Sequence, residues 1–228
     1  MGFLKRLFSS NSAEETTNSI KRQKSLRKSV DRNALKIMYE TRGMYGDEKH
    51  SINRDVIQRF SNSNAPLDIL AVALAYAGEG AKYRLESIDF FERFLAQPAD
   101  IPRDPNAWVS LEENAPYFSY RDIYTTLGKF YTAELMFDKA IDCYRHVIQI
   151  DNGKEYVGYT LIGDVYAKID INQCVAYYEE LKRNTRLWTK DKNLFESKYT
   201  KALELQKSGY VYKPRKKTKE TPTFDLAH

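Results

Sequence analysis

Between Asp122 and Lys182 the apolar positions recur in an order that an α-helix requires and a strand does not. Phe137, Ala140, Ile141, Tyr144 and Ile148 follow the i, i+3, i+4, i+7 spacing of one helical face, and Asp138, Lys139, Asp142 and Arg145 take the other side. The stretch also repeats. Tyr124, Leu127, Gly128 and Tyr131 return after 35 residues as Tyr159, Ile162, Gly163 and Tyr166. Phe137, Ala140, Tyr144 and Val147 return after 34 as Ile171, Cys174, Tyr178 and Leu181. Two tandem helix pairs are therefore predicted over 122–183. Helices of about 12 residues are marginal alone in water, so each pair must bury its apolar face against the next. Gly128 and Gly163 are expected where two helix axes come close, Ala140 and Cys174 are small for the same reason, and the tyrosines fill the space between helices.

The same patterning extends, more weakly, to both sides. Pro66, which suits a first helical turn, opens a run of Leu67, Leu70, Leu74 and Ala75, and Ile88, Phe91, Phe94 and Leu95 follow the glycines at 78 and 80. This predicts a degenerate pair over 66–97, with Ser87 and Phe91 standing where Ala140 and Tyr144 stand. Pro98, Pro102, Pro105 and Pro116 make 98–119 an insertion that Trp108 pins to the helices. Beyond Trp188, a helix from about Thr189 to Lys207 carries Leu194, Phe195, Tyr199, Ala202, Leu203 and Leu205 and is expected to cap the stack. Upstream, Val30, Ala34, Ile37 and Met38 mark a basic, solvated lead-in helix. Gly43, Gly46 and a polar run to Asn53 break the chain, and Arg54–Phe60 form a short helix. The domain layout is then a flexible basic segment over 1–29, an all-α helical-repeat domain over 30–207 and a basic tail over 208–228.

The aromatic, the Leu-Gly pair and the following Tyr at 124–131, with Ala140-x₃-Tyr144, resemble the tetratricopeptide repeat. Tyr124 stands for the usual Trp, neither unit ends in Pro, and Cys174 replaces Ala. The resemblance implies antiparallel helix pairs stacked into a short superhelix, whose first helices line a concave groove for an extended polypeptide. On matched positions the groove residues are Asp122, Thr125, Lys129 and Thr132 in the first unit, with Val157, Thr160, Asp164 and Ala167 in the second. A clamp for a terminal carboxylate needs several Lys, Arg and Asn there, and only Lys129 qualifies.

Charge adds a second theme. The chain carries +5 overall, but residues 1–42 hold ten Lys/Arg against four Asp/Glu, 43–206 hold twenty against twenty-five, and 207–228 hold six against two. A mildly acidic body with basic ends suits an acidic protein or peptide partner. An alternative is phosphate contact through Lys21, Arg22, Lys24, Arg27, Lys28, Lys213, Arg215, Lys216 and Lys217, since phosphate neutralisation supplies sequence-independent nucleic-acid affinity. Another is peripheral membrane attachment through Met1–Phe8, where Phe3, Leu4, Leu7 and Phe8 surround Lys5 and Arg6. Two cysteines on apolar helix faces argue for a reducing compartment. The absence of an apolar run of about 18 residues argues against a membrane span, and the expected location is cytoplasmic. Three scattered histidines and no phosphate-cradling loop predict no metal, no cofactor and no enzyme activity: an adaptor is expected.

Overall fold

The computed structural model describes residues 34–97, 108–110 and 116–214. The fold is all-α. Its helices are α1 (Ala34–Glu40), α2 (Gly46–Phe60), α3 (Pro66–Gly78), α4 (Arg84–Leu95), α5 (Tyr120–Ala133), α6 (Phe137–Ile150), α7 (Val157–Ile169), α8 (Ile171–Arg183), α9 (Thr185–Lys190) and α10 (Lys192–Lys207). One 3₁₀ turn, Ala81–Tyr83, leads into α4, and an antiparallel ribbon of β1 (Trp108–Ser110) and β2 (Pro116–Ser119) precedes α5. Neighbours in sequence pack as neighbours in space: α3 on α4, α5 on α6, α6 on α7, α7 on α8, and α10 on α8. No helix among the described residues is long and apolar enough to cross a membrane.

Local signals set the helix starts. Ser119 Oγ accepts from the Asp122 amide at 3.0 Å, and Asp170 accepts from Asn172 at 2.9 Å, satisfying donors that the first helical turn leaves unpaired. Pro66 occupies the first turn of α3. The α5–α6 turn ends in Leu135 at φ 64°, a left-handed conformation that a branched side chain rarely adopts.

Packing within each pair follows the glycines. A Cβ placed on Gly128 would lie 2.5 Å from Tyr144 Cε1, and one on Gly163 would lie 2.6 Å from Tyr178 Cζ. Each glycine is thus the floor on which the tyrosine of its partner helix lies, and both rings are 1% exposed. Burying such a ring removes roughly 150–250 Å² from water, which only a side-chain-free position on the facing helix permits. Ala140 and Cys174 are buried as the repeat pattern requires. In the upstream pair, Ser87 and Phe91 are fully buried, and Ser87 Oγ donates to the Ala73 carbonyl at 2.8 Å, so this helix crossing is equally tight.

Four elements depart from the sequence expectation. The lead-in helix is not solvated: Ala34, Leu35, Ile37 and Met38 of α1 are buried against α3. The chain does not break through Asn53, because α2 already begins at Gly46 and runs for 15 residues. Its inward face is partly polar. Asn53 is fully buried and donates to Glu79 Oε1 at 3.0 Å, while His50 Nδ1 lies 2.9 Å from the same oxygen. The insertion holds a strand pair that its prolines did not signal, 108–110 with 116–119; residues 98–107 and 111–115, like the basic segment 1–33 and the tail from 215, lie outside the described residues. The cap is broken at Asp191 into α9 and α10, and Trp188 holds the two together. Its ring stacks on Phe195 at 5.4 Å between centroids, and its Nε1 donates to Glu196 at 3.1 Å.

The core has two parts. The larger extends from α1 through α7 and the smaller joins α8, α9 and α10, with the half-buried Tyr166 and Tyr177 packed against both. Within the larger, α3 is apolar all round, as a helix must be when it is covered on several sides by α1, α2 and α4.

Candidate functional site

The expected groove face is built by α5 and α7, the first helices of the two repeated units. On α5, Ile123, Leu127, Gly128 and Tyr131 turn inward, which carries positions 122, 125, 129 and 132 round to another side. Asp122 and Lys129 are exposed and Thr125 is half-buried. Thr132 is not available: it is 8% exposed, donates to the Gly128 carbonyl at 2.8 Å and lies 3.4 Å from Tyr144 Oη.

On α7 only one of the four positions is exposed. Val157 and Ala167 are half-buried, and Thr160 is buried with its hydroxyl donating to the Val157 carbonyl at 3.1 Å. Asp164 is exposed, but both its oxygens accept from Lys198 Nζ, at 2.8 and 2.9 Å. That lysine belongs to α10, which lies against α7 as well as α8. No spacing within one helix signals this bond to a partner 34 residues away.

What borders the face follows from neighbouring elements. Helix α1 packs against α3, and β2 touches both α1 and α5. Of the expected positions, Asp122, Lys129 and Asp164 are exposed and Thr125, Val157 and Ala167 half-buried, with Asp164 held by Lys198 of α10.

Behind this face lies a polar cluster that fixes α4 to the first repeated unit. Glu92 of α4 accepts from Lys139 Nζ at 2.7 Å and from the Tyr131 hydroxyl. The lysine, and then the tyrosine, hold the Glu92 carboxyl below its ordinary range. Burial, together with that carboxylate, pushes the Tyr131 phenol upward. Arg84 adds a second link to the same unit through Glu134 at 2.8 Å. These contacts join three helices, α4, α5 and α6.

Of the basic residues named for phosphate contact, Lys213 is exposed at the end of the described chain; Lys21, Arg22, Lys24, Arg27, Lys28, Arg215, Lys216 and Lys217 lie outside it. Among the described residues no group of three His, Cys, Asp or Glu side chains is placed to hold a metal ion. No protein-family model, no curated protein and no solved structure matches this chain.

Proposed function

We propose that this chain is a tetratricopeptide-like adaptor that binds an extended, partly acidic polypeptide along the exposed face of α5 and α7. The observation that carries this reading is the duplicated Gly–Tyr contact, Gly128 under Tyr144 and Gly163 under Tyr178. Each first helix meets its second helix through the same contact, and Asp122, Lys129 and Asp164 are exposed on these two first helices. Half-buried Thr125, Val157 and Ala167 with exposed Asp122 and Lys129 suit a polypeptide, whereas a small molecule needs a deep cavity. An extended backbone, by contrast, needs shallow pockets and a few polar anchors spaced along its length. Lys129 supplies the anchor for a carboxylate, and Asp122, about two turns earlier on the same helix, one for a lysine or an arginine.

The test is binding of a displayed random-peptide library to the full chain, compared with an Asp122→Lys, Lys129→Glu variant. Asp164 is left intact because its reversal would place a lysine beside Lys198. Asp142 and Arg145, an exposed ion pair on the outer side of α6, serve as the control when exchanged. Peptides selected on the unaltered protein are expected to bind the α5 variant at least about tenfold less well, since each lost charge-assisted contact is worth on the order of 1.4 kcal/mol or more. Equal binding by both variants would exclude this face.

A further inference from the structure

Asn152 and Gly153 form the one Asn–Gly pair in the chain. They occupy the turn between α6 and α7, where the two repeated units join. Both take left-handed backbone, at φ 51° and 66°, the conformation that Asn and Gly adopt with least strain. The Gly153 amide donates to the Ile148 carbonyl at 2.8 Å and the Asn152 amide to the Gln149 carbonyl at 3.0 Å. This is the paired bonding that closes a helix C-terminus through a left-handed residue. The Asn152 side chain itself is exposed.

Four helices meet at this turn. Arg121 of α5 pairs with Asp151 at 3.0 Å. Lys190 of α9 donates to the Lys154 carbonyl and lies 3.1 Å from Glu155. Gly158 of α7 is packed so closely on α6 that a Cβ there would lie 2.5 Å from Ile148 Cγ1 and 2.9 Å from the Tyr144 carbonyl oxygen. The residue whose carbonyl receives the Gly153 amide is thus also one on which α7 rests.

We infer that Asn152 is a site of self-modification gated by this turn. While the turn is closed the asparagine persists; once it opens, Asn152 converts to aspartate and isoaspartate, and the isoaspartate form cannot rebuild the junction. The Gly153 backbone nitrogen, with no side chain to crowd it, loses its proton to solvent base and attacks Asn152 Cγ. The N–Cγ bond forms, the Cγ–Nδ2 bond breaks, and Nδ2 leaves as ammonia. Water then opens the cyclic imide. Attack at Cγ restores the main chain with an aspartate side chain, whereas attack at the main-chain carbonyl routes the chain through Cβ and Cγ as isoaspartate. The native turn opposes the first step, because the proton to be lost is the one that Gly153 donates to Ile148. Reaction therefore waits on local opening of the end of α6. The extra main-chain carbon of isoaspartate carries the Gly153 nitrogen out of register with the Ile148 carbonyl. Either product also sets a new carboxylate beside Asp151 at the negative end of α6. The inference rests on the turn and its contacts, and no ligand on the α5–α7 face is needed for it.

The experiment incubates the full chain in mildly alkaline buffer with and without denaturant. Each asparagine is followed by peptide mass spectrometry that separates aspartate from isoaspartate. In denaturant Asn152 is expected to convert ahead of Asn62 and Asn184, which precede the bulkier Ser63 and Thr185. In the native protein its conversion should be at least about tenfold slower than in denaturant. Chain that has formed isoaspartate in denaturant is then refolded and compared with an Asn152→Asp variant refolded without incubation, which carries the new charge on an unaltered backbone. The isoaspartate form should melt at the lower temperature. Equal rates in native and denatured protein overturn the proposal, as does slower conversion of Asn152 than of Asn62 and Asn184 in denaturant. An equal Tm for the isoaspartate form and Asn152→Asp also overturns it, because the change would then act through charge and not through the turn.

Discussion

Gly128 lies under the Tyr144 ring with no room for a methyl group, and that contact decides between two opposed effects. Gly→Ala in an exposed helix gains about 1 kcal/mol, whereas forcing atoms into a packed core loses about 1–3 kcal/mol. Here three ring atoms of a 1% exposed tyrosine are in the way, so overpacking wins. Gly128→Ala is expected to lower the Tm by roughly 2–4 °C, and an increase would contradict the contact. Tyr178 behaves differently, since its buried hydroxyl has no hydrogen-bond partner among the described residues. Tyr178→Phe removes an unsatisfied polar group and should leave the Tm unchanged or raise it, as thermal denaturation will show. Burial also raises the Cys143 thiol from 9.0 to about 12, the Cys174 thiol from 9.0 to about 11 and the Tyr144 phenol from 10.0 to about 12. These groups ionise more readily in the unfolded chain, so their stabilising contribution is complete below about pH 9 and is lost as pH climbs through the folded values. Melting curves should be level with respect to these groups up to pH 9 and fall between about 9 and 12. Thiol alkylation at pH 8 should be slow in the native protein and fast in denaturant.

At the scale of elements, α5 to α8 were legible because their spacing and their contacts coincide: the positions that repeat at 34 and 35 residues are those that touch. Helix α2 was not legible, because its inward side carries His50 and Asn53, which read as surface until Glu79 is known to face them. Helix α1 failed for a related reason. Its four buried residues belong to a helix of only seven beside a strongly basic sequence, and charge outweighed a short apolar face. The groove positions were legible in direction only. A helical wheel sends Thr132 and Thr160 to the outer side, yet both hydroxyls turn back to their own helix. The Glu79 cluster supplies the prediction at this scale. Glu79→Ala leaves the Asn53 amide buried without its acceptor and should lose about 1–3 kcal/mol. Glu79→Gln retains an oxygen for that amide and should lose less. Chemical denaturation of the two variants checks the order, and equal losses would assign the effect to side-chain volume.

For the molecule as a whole, neighbouring helix pairs supply one another's missing partners. The larger core spans the first pair and the first repeated unit, and the second unit joins it to the smaller core beneath α9 and α10 through Tyr166 and Tyr177. Such stacks derive stability from nearest-neighbour interfaces, so protection should be greatest where a helix has neighbours on both sides. Amide hydrogen exchange on the full chain tests this most directly. The slowest amides are expected in α3 and across α5 to α8, those of Gly128 and Gly163 among them, with faster exchange at α1 and α10. Rapid exchange throughout residues 122–182, or protection confined to one helix of each pair, would contradict the stacked arrangement.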